Sequence, residues 1–164
     1  MISLPERNSD AGVESRVLLA ECKSPAYSDT YTLELASECM QLMDAVLRNR
    51  LANPSPYGAK GAISLADVVK AKGQFAGFGK YPNYDENIKK RIQRALDIAN
   101  DSKDSRSSTY SAYVNKAIEI AKSVKYSDPS PGKLVAWRTA NSGSPGKNFT
   151  LYKTVLGVDF YYIG

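Results

Sequence analysis

The sequence predicts an α+β domain that is mostly helical and ends in a small antiparallel sheet. Apolar residues recur at helical spacing in several segments before residue 125. From residue 133 onward the composition shifts to aromatic and β-branched residues, which favour strands. A chain of 164 residues is long enough for about one domain, so we expect the helices and the sheet to share one core.

The first two helices are predicted from their apolar faces. Residues 1–12 are expected to form a flexible N-terminal lead, and residues 13–164 a single domain. Helical spacing of apolar residues predicts a helix over 13–22 and the main buried helix over 33–51. The segment between them is rich in Ser, Pro and Asp, which is typical of a loop.

The later elements are shorter or more polar. Ser64, with Asp67 three residues further on, forms a capping-box pattern that predicts a short helix over 64–71. A turn-rich sequence, NSGSPGK, is expected to separate the strands. Apolar spacing and strand composition predict two more helices and then the strand-forming segments, over 88–99, 110–124, 134–137 and 149–163.

The chain contains no histidine, and this absence excludes several mechanisms. Ser-His-Asp and Cys-His hydrolases need an imidazole base, and most catalytic zinc sites use at least one histidine ligand. Acid–base chemistry near neutral pH is then left to a carboxyl with a raised pKa, a lysine, a tyrosine or a cysteine. We therefore expect no metal and no cofactor.

The net charge is +5, which suits an anionic partner. The densest basic cluster is Lys89-Lys90-Arg91 with Arg94, on a predicted helix. It is either a solvated helix face or a surface attracted to the anionic bacterial wall. No nucleic-acid-binding motif is present, and no apolar run approaches the roughly 20 residues that span a bilayer. Neither nucleic acid nor membrane insertion is expected.

One stretch carries a pattern of motifs. Within residues 45–78, a helix ends in Asn49-Arg50, a loop rich in Pro and Gly follows, and a short capped helix leads to Gly73-Gln74-Phe75. This order resembles the cell-wall hydrolases related to spore-cortex-lytic enzymes, which cut the glycan strands of peptidoglycan. Their pattern is a helix carrying a glutamate, a helix ending in Asn-Arg, a loop, a short helix and then Gly-Gln-Phe.

The C-terminal sequence extends the resemblance. Residues 156–162, LGVDFYY, are similar to the closing "IGxHxFY" of that family, with Asp159 where the family usually has histidine. The resemblance then covers about residues 13–162 and implies a lysozyme-like helical domain.

The resemblance implies that Glu21 is the catalytic acid and base, because Glu21 ends an apolar helical turn upstream of Asn49-Arg50. The two motifs are 28 positions apart, more than is usual in the family, which an insertion would explain. Glu38 is the rival acid, Asp44 is a further alternative, and an ordinary exposed helix glutamate is the other interpretation of Glu21. A glutamic acid held among apolar residues stays protonated near pH 6 and can donate to the glycosidic oxygen.

The resemblance also implies residues around the cleft. Gln74 can hydrogen-bond a sugar N-acetyl group or be a turn residue, and Phe75 can stack on a sugar or be part of the core. Asn49 and Arg50 are expected near the site, either securing the fold or contacting substrate. The predicted substrate-binding residues are Gln74, Phe75, Tyr57, Tyr161 and Tyr162.

Cys22 and Cys39 flank the long segment after Glu21. In an oxidising periplasm they could form a disulfide, worth about 3 kcal/mol in the chain-entropy model. The alternative is two reduced, buried thiols on two packed helices.

The leading functional hypothesis is a peptidoglycan glycosidase or lytic transglycosylase that uses a single glutamate. The N-terminus lacks a basic start followed by an apolar stretch, so no cleavable signal is predicted. A specialised route is then expected to deliver the protein to the periplasm or cell wall. It could be an antibacterial toxin effector held in check by a cognate immunity protein, or a phage endolysin. The other class is a non-catalytic module that binds glycan or another anionic polymer.

Overall fold

Five helices precede three strands in the computed structural model, which describes all residues 1–164. The predicted α+β class is confirmed. The helices are α1 (Asp10–Glu21), α2 (Leu33–Ala52), α3 (Leu65–Val69), α4 (Glu86–Asn100) and α5 (Ser107–Lys122). The strands are β1 (Lys133–Thr139), β2 (Thr150–Val155) and β3 (Val158–Ile163).

Side-chain caps fix where the first three helices begin. The hydroxyl of Ser9 accepts a hydrogen bond from the backbone of Gly12, and that of Thr32 accepts one from Leu35. At α3 the Ser64 hydroxyl accepts from the backbone N–H of Asp67, as the capping pattern predicts. Each bond satisfies one of the N–H groups that a helix leaves unpaired in its first turn.

The core is organised around α2. This helix contacts β1 and β2 as well as α1, α3 and α5, so it lies between the sheet and the other helices. Its interior positions are almost all buried, including Cys39, Met43 and Leu47, none of which is exposed at all. The other large side chains sealed in this core are Val13, Val17, Leu18, Phe78, Tyr113, Leu134 and Phe160.

The three strands form an antiparallel sheet in the order β1-β3-β2. Within the segment 149–163, which was expected to form strands, β2 and β3 make a hairpin. Its two-residue turn is Leu156-Gly157, and both residues have positive φ, 46° and 74°. Positive φ at both positions matches the right-handed twist of a tight hairpin. β3 is the central strand, because it pairs with both β1 and β2.

Part of the segment 1–12, predicted as a flexible lead, is helical. Helix α1 already begins at Asp10. Upstream of it, the backbone of Ile2 exchanges two hydrogen bonds with the side-chain amide of Asn100, at 2.7 and 2.9 Å. The buried guanidinium of Arg16 donates to the carbonyl of Pro5 at 2.9 Å. Ile2 and Asn100 are 98 residues apart, so local composition did not reveal their contact.

No helix is both long enough and apolar enough to cross a membrane.

Candidate functional site

Glu21 is the last residue of α1, and its side chain is half-buried. Burial raises the pKa of its carboxyl above the ordinary value, and the nearby guanidinium of Arg91 partly opposes that shift. The carboxyl makes neither a hydrogen bond nor an ion pair with the rest of the chain. Glu21 is therefore a carboxyl biased towards its protonated form and free to exchange a proton.

Two neighbouring helices hold the end of α1 in place. From α4, Arg91 donates to the carbonyl of Ala20 at 2.6 Å. From α5, the hydroxyl of Tyr113 lies 2.6 Å from the carbonyl of Cys22 and 3.2 Å from that of Leu19, and can donate to either. These contacts satisfy carbonyls that the last turn of a helix leaves unpaired. The position of Glu21 is thus fixed by long-range contacts.

Glu38, the rival acid, has a different environment. It lies on the second turn of α2, with 36% of its side chain exposed, and its carboxylate pairs with Lys153 at 2.6 Å. The geometry of Glu38 is that of a surface ion pair between α2 and β2.

Cys22 and Cys39 are free thiols in the structure. Both are buried where the end of α1 meets α2, and the sulfur of Cys22 lies 3.5 Å from that of Met43. Burial and the adjacent Cys39 raise the pKa of the Cys22 thiol well above its ordinary value. The structure therefore corresponds to the reduced alternative of the two that the sequence left open.

Arg50 connects several of the motif residues. Its Nε donates to the carbonyl of Val135 at 2.6 Å, and its Nη1 donates to Oε1 of Gln74 at 2.9 Å. The rings of Tyr57 and Phe75 lie 4.7 and 5.0 Å from the guanidinium carbon. No carboxylate lies within ion-pair distance, and burial lowers the pKa of Arg50 to about 10. The structure thus brings the Asn-Arg and Gly-Gln-Phe motifs into direct contact.

Asn49 ties the same helix end to the start of the sheet. Its amide donates to the carbonyl of Leu134 and to the carboxylate of Asp128, each at 2.9 Å, and its Oδ1 accepts from the hydroxyl of Tyr126. Asn49 therefore joins α2 to β1 and to the loop before β1.

The aromatic residues predicted to bind sugar are mostly packed inside the fold. Tyr57, Phe75 and Tyr161 expose only 7%, 8% and 6% of their surfaces, so they do not present open ring faces. Tyr162 is half-buried against the core, and Gln74 is exposed. The prediction of aromatic platforms at these three rings is wrong, because Tyr57 and Phe75 pack against Arg50 of α2 and Tyr161 lies in the central strand β3.

Trp137 was missed by sequence reasoning. It is the only tryptophan of the chain, lies on β1 and is half-buried, with its ring centroid 5.3 Å from that of Phe75. A single tryptophan on a strand next to a motif aromatic was the signal that could have identified it.

Glu21 and the residues that contact Arg50 lie beside different turns of α2. Cys22, next to Glu21, contacts Met43, and Met43 is seven residues before Arg50. At 1.5 Å per residue that separation is about 10 Å along the helix axis. The structure therefore places Glu21 and the residues around Arg50 beside the same helix, α2, but not in direct contact.

A second carboxyl cluster was not predicted. Glu14, two turns before Glu21 on α1, is 0% exposed, and neither of its carboxyl oxygens has a hydrogen-bond partner. Arg48 lies 2.7 Å from the carboxylate of Asp44 but 3.9 Å from that of Glu14. Burial, and secondarily Asp44, raise the pKa of Glu14 to about 10. Burial thus favours the neutral form of the Glu14 carboxyl.

Comparison with protein-family models, with curated proteins and with solved structures finds no match to this chain. The structure also brings no three His, Cys, Asp or Glu side chains together in a way that could hold a metal ion.

Proposed function

We propose that this protein cleaves the glycan strands of peptidoglycan, as a glycosidase or lytic transglycosylase, with Glu21 as its single general acid and base. The observation that carries the proposal is the environment of Glu21, a half-buried carboxyl at a helix end whose pKa burial raises. The order of the Glu21, Asn49-Arg50 and Gly73-Gln74-Phe75 motifs supports the same assignment.

The first chemical step uses the protonated form. Glu21 donates its proton to the glycosidic oxygen as the bond to the anomeric carbon breaks, and the sugar passes through an oxocarbenium-like state. The carboxylate that results then takes a proton from the attacking hydroxyl. That hydroxyl belongs either to water, which gives hydrolysis, or to C6 of the same sugar, which gives a 1,6-anhydro product.

The proposed mechanism uses a single carboxylate. Burial and the guanidinium of Arg91 are the influences on the pKa of Glu21. Ordinary retaining and inverting glycosidases need a second carboxyl about 5 to 9.5 Å away. Internal attack by the C6 hydroxyl needs no such group, because the nucleophile is part of the substrate.

The basic surface supports an anionic polymer as the substrate. Lys89, Lys90, Arg91 and Arg94 are all exposed on α4, and Arg91 reaches the end of α1 beside Glu21. A cationic face at this place would attract the negatively charged wall and raise its local concentration. The same face would also serve a non-catalytic module that binds an anionic polymer, which is the second candidate.

The biological setting is part of the proposal. A wall-cutting enzyme delivered by a specialised secretion route would act as an antibacterial toxin effector in the periplasm. The producing cell would then need a cognate immunity protein to neutralise it. Release by a lysis system, as a phage endolysin, is the alternative route to the same substrate.

The test is digestion of purified sacculi by the wild type and by Glu21→Gln, with products resolved by mass spectrometry. Products ending in 1,6-anhydro-muramic acid identify a lytic transglycosylase, and reducing ends identify a hydrolase. The variant is expected to retain its fold and its binding to sacculi while losing turnover.

Glu38→Gln is the matched control, because it makes the same change at the rival carboxyl. Loss of activity in Glu38→Gln, with full activity in Glu21→Gln, would move the acid to Glu38. Binding of sacculi by the wild type without any cleavage products would favour the binding module.

A further inference from the structure

The guanidinium of Arg50 is a buried charge without a counter-ion. Only 7% of the residue is exposed, and none of the ion pairs of the chain includes it. Burial lowers its pKa to about 10, so it is still positively charged at pH 7. The rings of Tyr57 and Phe75 attract the cation through their π faces but do not neutralise it. Such a charge destabilises the fold until an anion pairs with it.

Arg48, two residues earlier on α2, shows how this chain neutralises an arginine. Its Nε donates to the carboxylate of Asp44 at 2.7 Å, and its terminal nitrogens donate to three backbone carbonyls. Arg50 makes only two hydrogen bonds, to the carbonyl of Val135 and to Oε1 of Gln74. Because a guanidinium carries five N–H donors, three donors of Arg50 have no partner within the chain.

The terminal nitrogen Nη2 of Arg50 reaches the solvent. The buried side-chain nitrogen and oxygen atoms without a hydrogen-bond partner belong only to Glu14, Tyr31 and Ser130. Nη2 of Arg50 also makes no hydrogen bond, and it is not one of these sealed atoms. A ligand can therefore contact this nitrogen from outside while most of the guanidinium stays buried.

Gln74 adds a second donor at the same place. It follows Gly73, whose positive φ of 74° turns the chain, and its backbone N–H donates to the carbonyl of Ala71 at 3.1 Å. The side chain of Gln74 is exposed, and its Oε1 accepts from Nη1 of Arg50 at 2.9 Å. Its amide nitrogen has no partner within the chain, so Arg50 and Gln74 together offer free N–H groups at the surface.

We propose that Arg50 and Gln74 bind the carboxylate of an acidic sugar in the glycan strand, such as muramic acid, whose lactyl ether carries one. The two oxygens of a carboxylate fit the parallel N–H groups on the Nη1–Nη2 edge of a guanidinium, and hydrogen bonds between ions are stronger than those between neutral groups. Placing this carboxylate on the wall glycan rests on the proposed function, whereas the carboxylate site itself does not.

The experiment is an NMR titration of the nitrogen-15-labelled full chain at pH 7 with two single sugars. N-acetylmuramic acid carries the carboxylate, and N-acetylglucosamine has the same ring without the lactyl group. N-acetylmuramic acid should shift the Nε–H signal of Arg50 and the side-chain amide signals of Gln74. It should bind at least about tenfold more tightly than N-acetylglucosamine. Neither sugar contains a bond between sugar units, so binding is measured independently of cleavage.

Gln74→Glu tests the site without changing the buried arginine. Since Oε1 of Gln74 already accepts from Arg50, a carboxylate at this position should pair with the guanidinium and occupy the site. The variant should bind N-acetylmuramic acid at least about tenfold more weakly than the wild type and should unfold at a higher urea concentration. Gln41→Glu, the same change at an exposed position nearer the start of α2, should bind as the wild type does.

Three results would overturn the proposal. They are unchanged Arg50 and Gln74 signals in the presence of N-acetylmuramic acid, equal affinity for the two sugars, or undiminished affinity in Gln74→Glu. Failure of the wild type to digest sacculi, with this binding intact, would count against glycan cleavage and not against the carboxylate site.

Discussion

Glu14 and Glu21 lie seven residues apart on α1, yet their surroundings give them different chemistry. Glu14 is sealed under α2 beside Asp44 and Arg48, whereas Glu21 stands at the helix end, half-buried next to Arg91. Burial raises the pKa of both carboxyls, but only for Glu14 does it reach about 10. A general acid must also contact the substrate and change its charge during turnover. Glu21 is partly exposed and meets this requirement, whereas Glu14 is fully buried and does not.

The largest expected effect is on turnover, where changes at Glu21 and at Glu14 should have different consequences. Glu21→Gln should reduce the rate of sacculus digestion by about 100- to 10,000-fold, the usual contribution of a general acid and base. Glu14→Gln should leave the rate unchanged, because Glu14 is sealed from polymeric substrate. Initial rates of soluble glycan release measure both. A loss in Glu14→Gln as deep as that in Glu21→Gln would break the distinction.

The second prediction concerns stability and pH. Below the ordinary carboxyl pKa of 4.5, Glu14 is neutral in both the folded and the unfolded chain. As the pH rises above 4.5 the unfolded chain ionises Glu14 but the folded protein does not, until about pH 10. The free energy of unfolding should therefore fall as the pH rises through this window.

Glu14→Gln should remove that slope. The variant should be more stable than the wild type at pH 7, and its advantage should grow towards pH 9. Urea unfolding from pH 5 to pH 9, under reducing conditions, measures the difference. Glu119→Gln, at an exposed ion pair with Lys116, is the matched control and should retain the slope of the wild type. Parallel curves for the wild type and Glu14→Gln would mean that Glu14 ionises normally.

A smaller effect should follow from changing the charge beside Glu21. Arg91 lowers the pKa of Glu21 against the effect of burial, so Arg91→Gln should raise that pKa further. Catalysis needs the protonated form for the first step, so the alkaline limb of the pH–activity profile should move to higher pH. Arg94→Gln, one turn further along α4 and also exposed, should leave the limb in place. A shift to lower pH would contradict this account of the site.

The smallest effect is expected at Glu38. Its ion pair with Lys153 is solvent-exposed on both sides, so Glu38→Gln should change the free energy of unfolding by less than about 1 kcal/mol. Activity should be retained. A chemical denaturation curve and the sacculus assay are sufficient measurements, and loss of activity would make Glu38 the better candidate for the acid.

Local signals predicted much of the helical layer. The N-cap at Ser64 and the placement of Glu21 at the end of a helix follow from residues close in sequence. The Leu156-Gly157 turn was not recognised, because leucine seldom adopts the positive φ that it has there. The commoner hairpin signals, such as Asn-Gly, are absent at this turn.

The remaining features depend on contacts between distant segments. The sequence did not predict the environment of Glu14, because α2 has to pack against α1 before Asp44 and Arg48 lie beside it. The burial of Tyr57 and Tyr161 likewise depends on how loops and strands return to α2. Such pairings are set by tertiary packing, which apolar periodicity does not encode.

The two thiols at the junction of α1 and α2 give the molecule a built-in reporter. Cys22 and Cys39 are the only cysteines of the chain and expose 2% and 0% of their surfaces. An alkylating reagent can reach them only when that junction opens, so the labelling rate measures the free energy of the opening. Because Glu21 immediately precedes Cys22, the same kinetics report how firmly the proposed acid is held, without any substrate present.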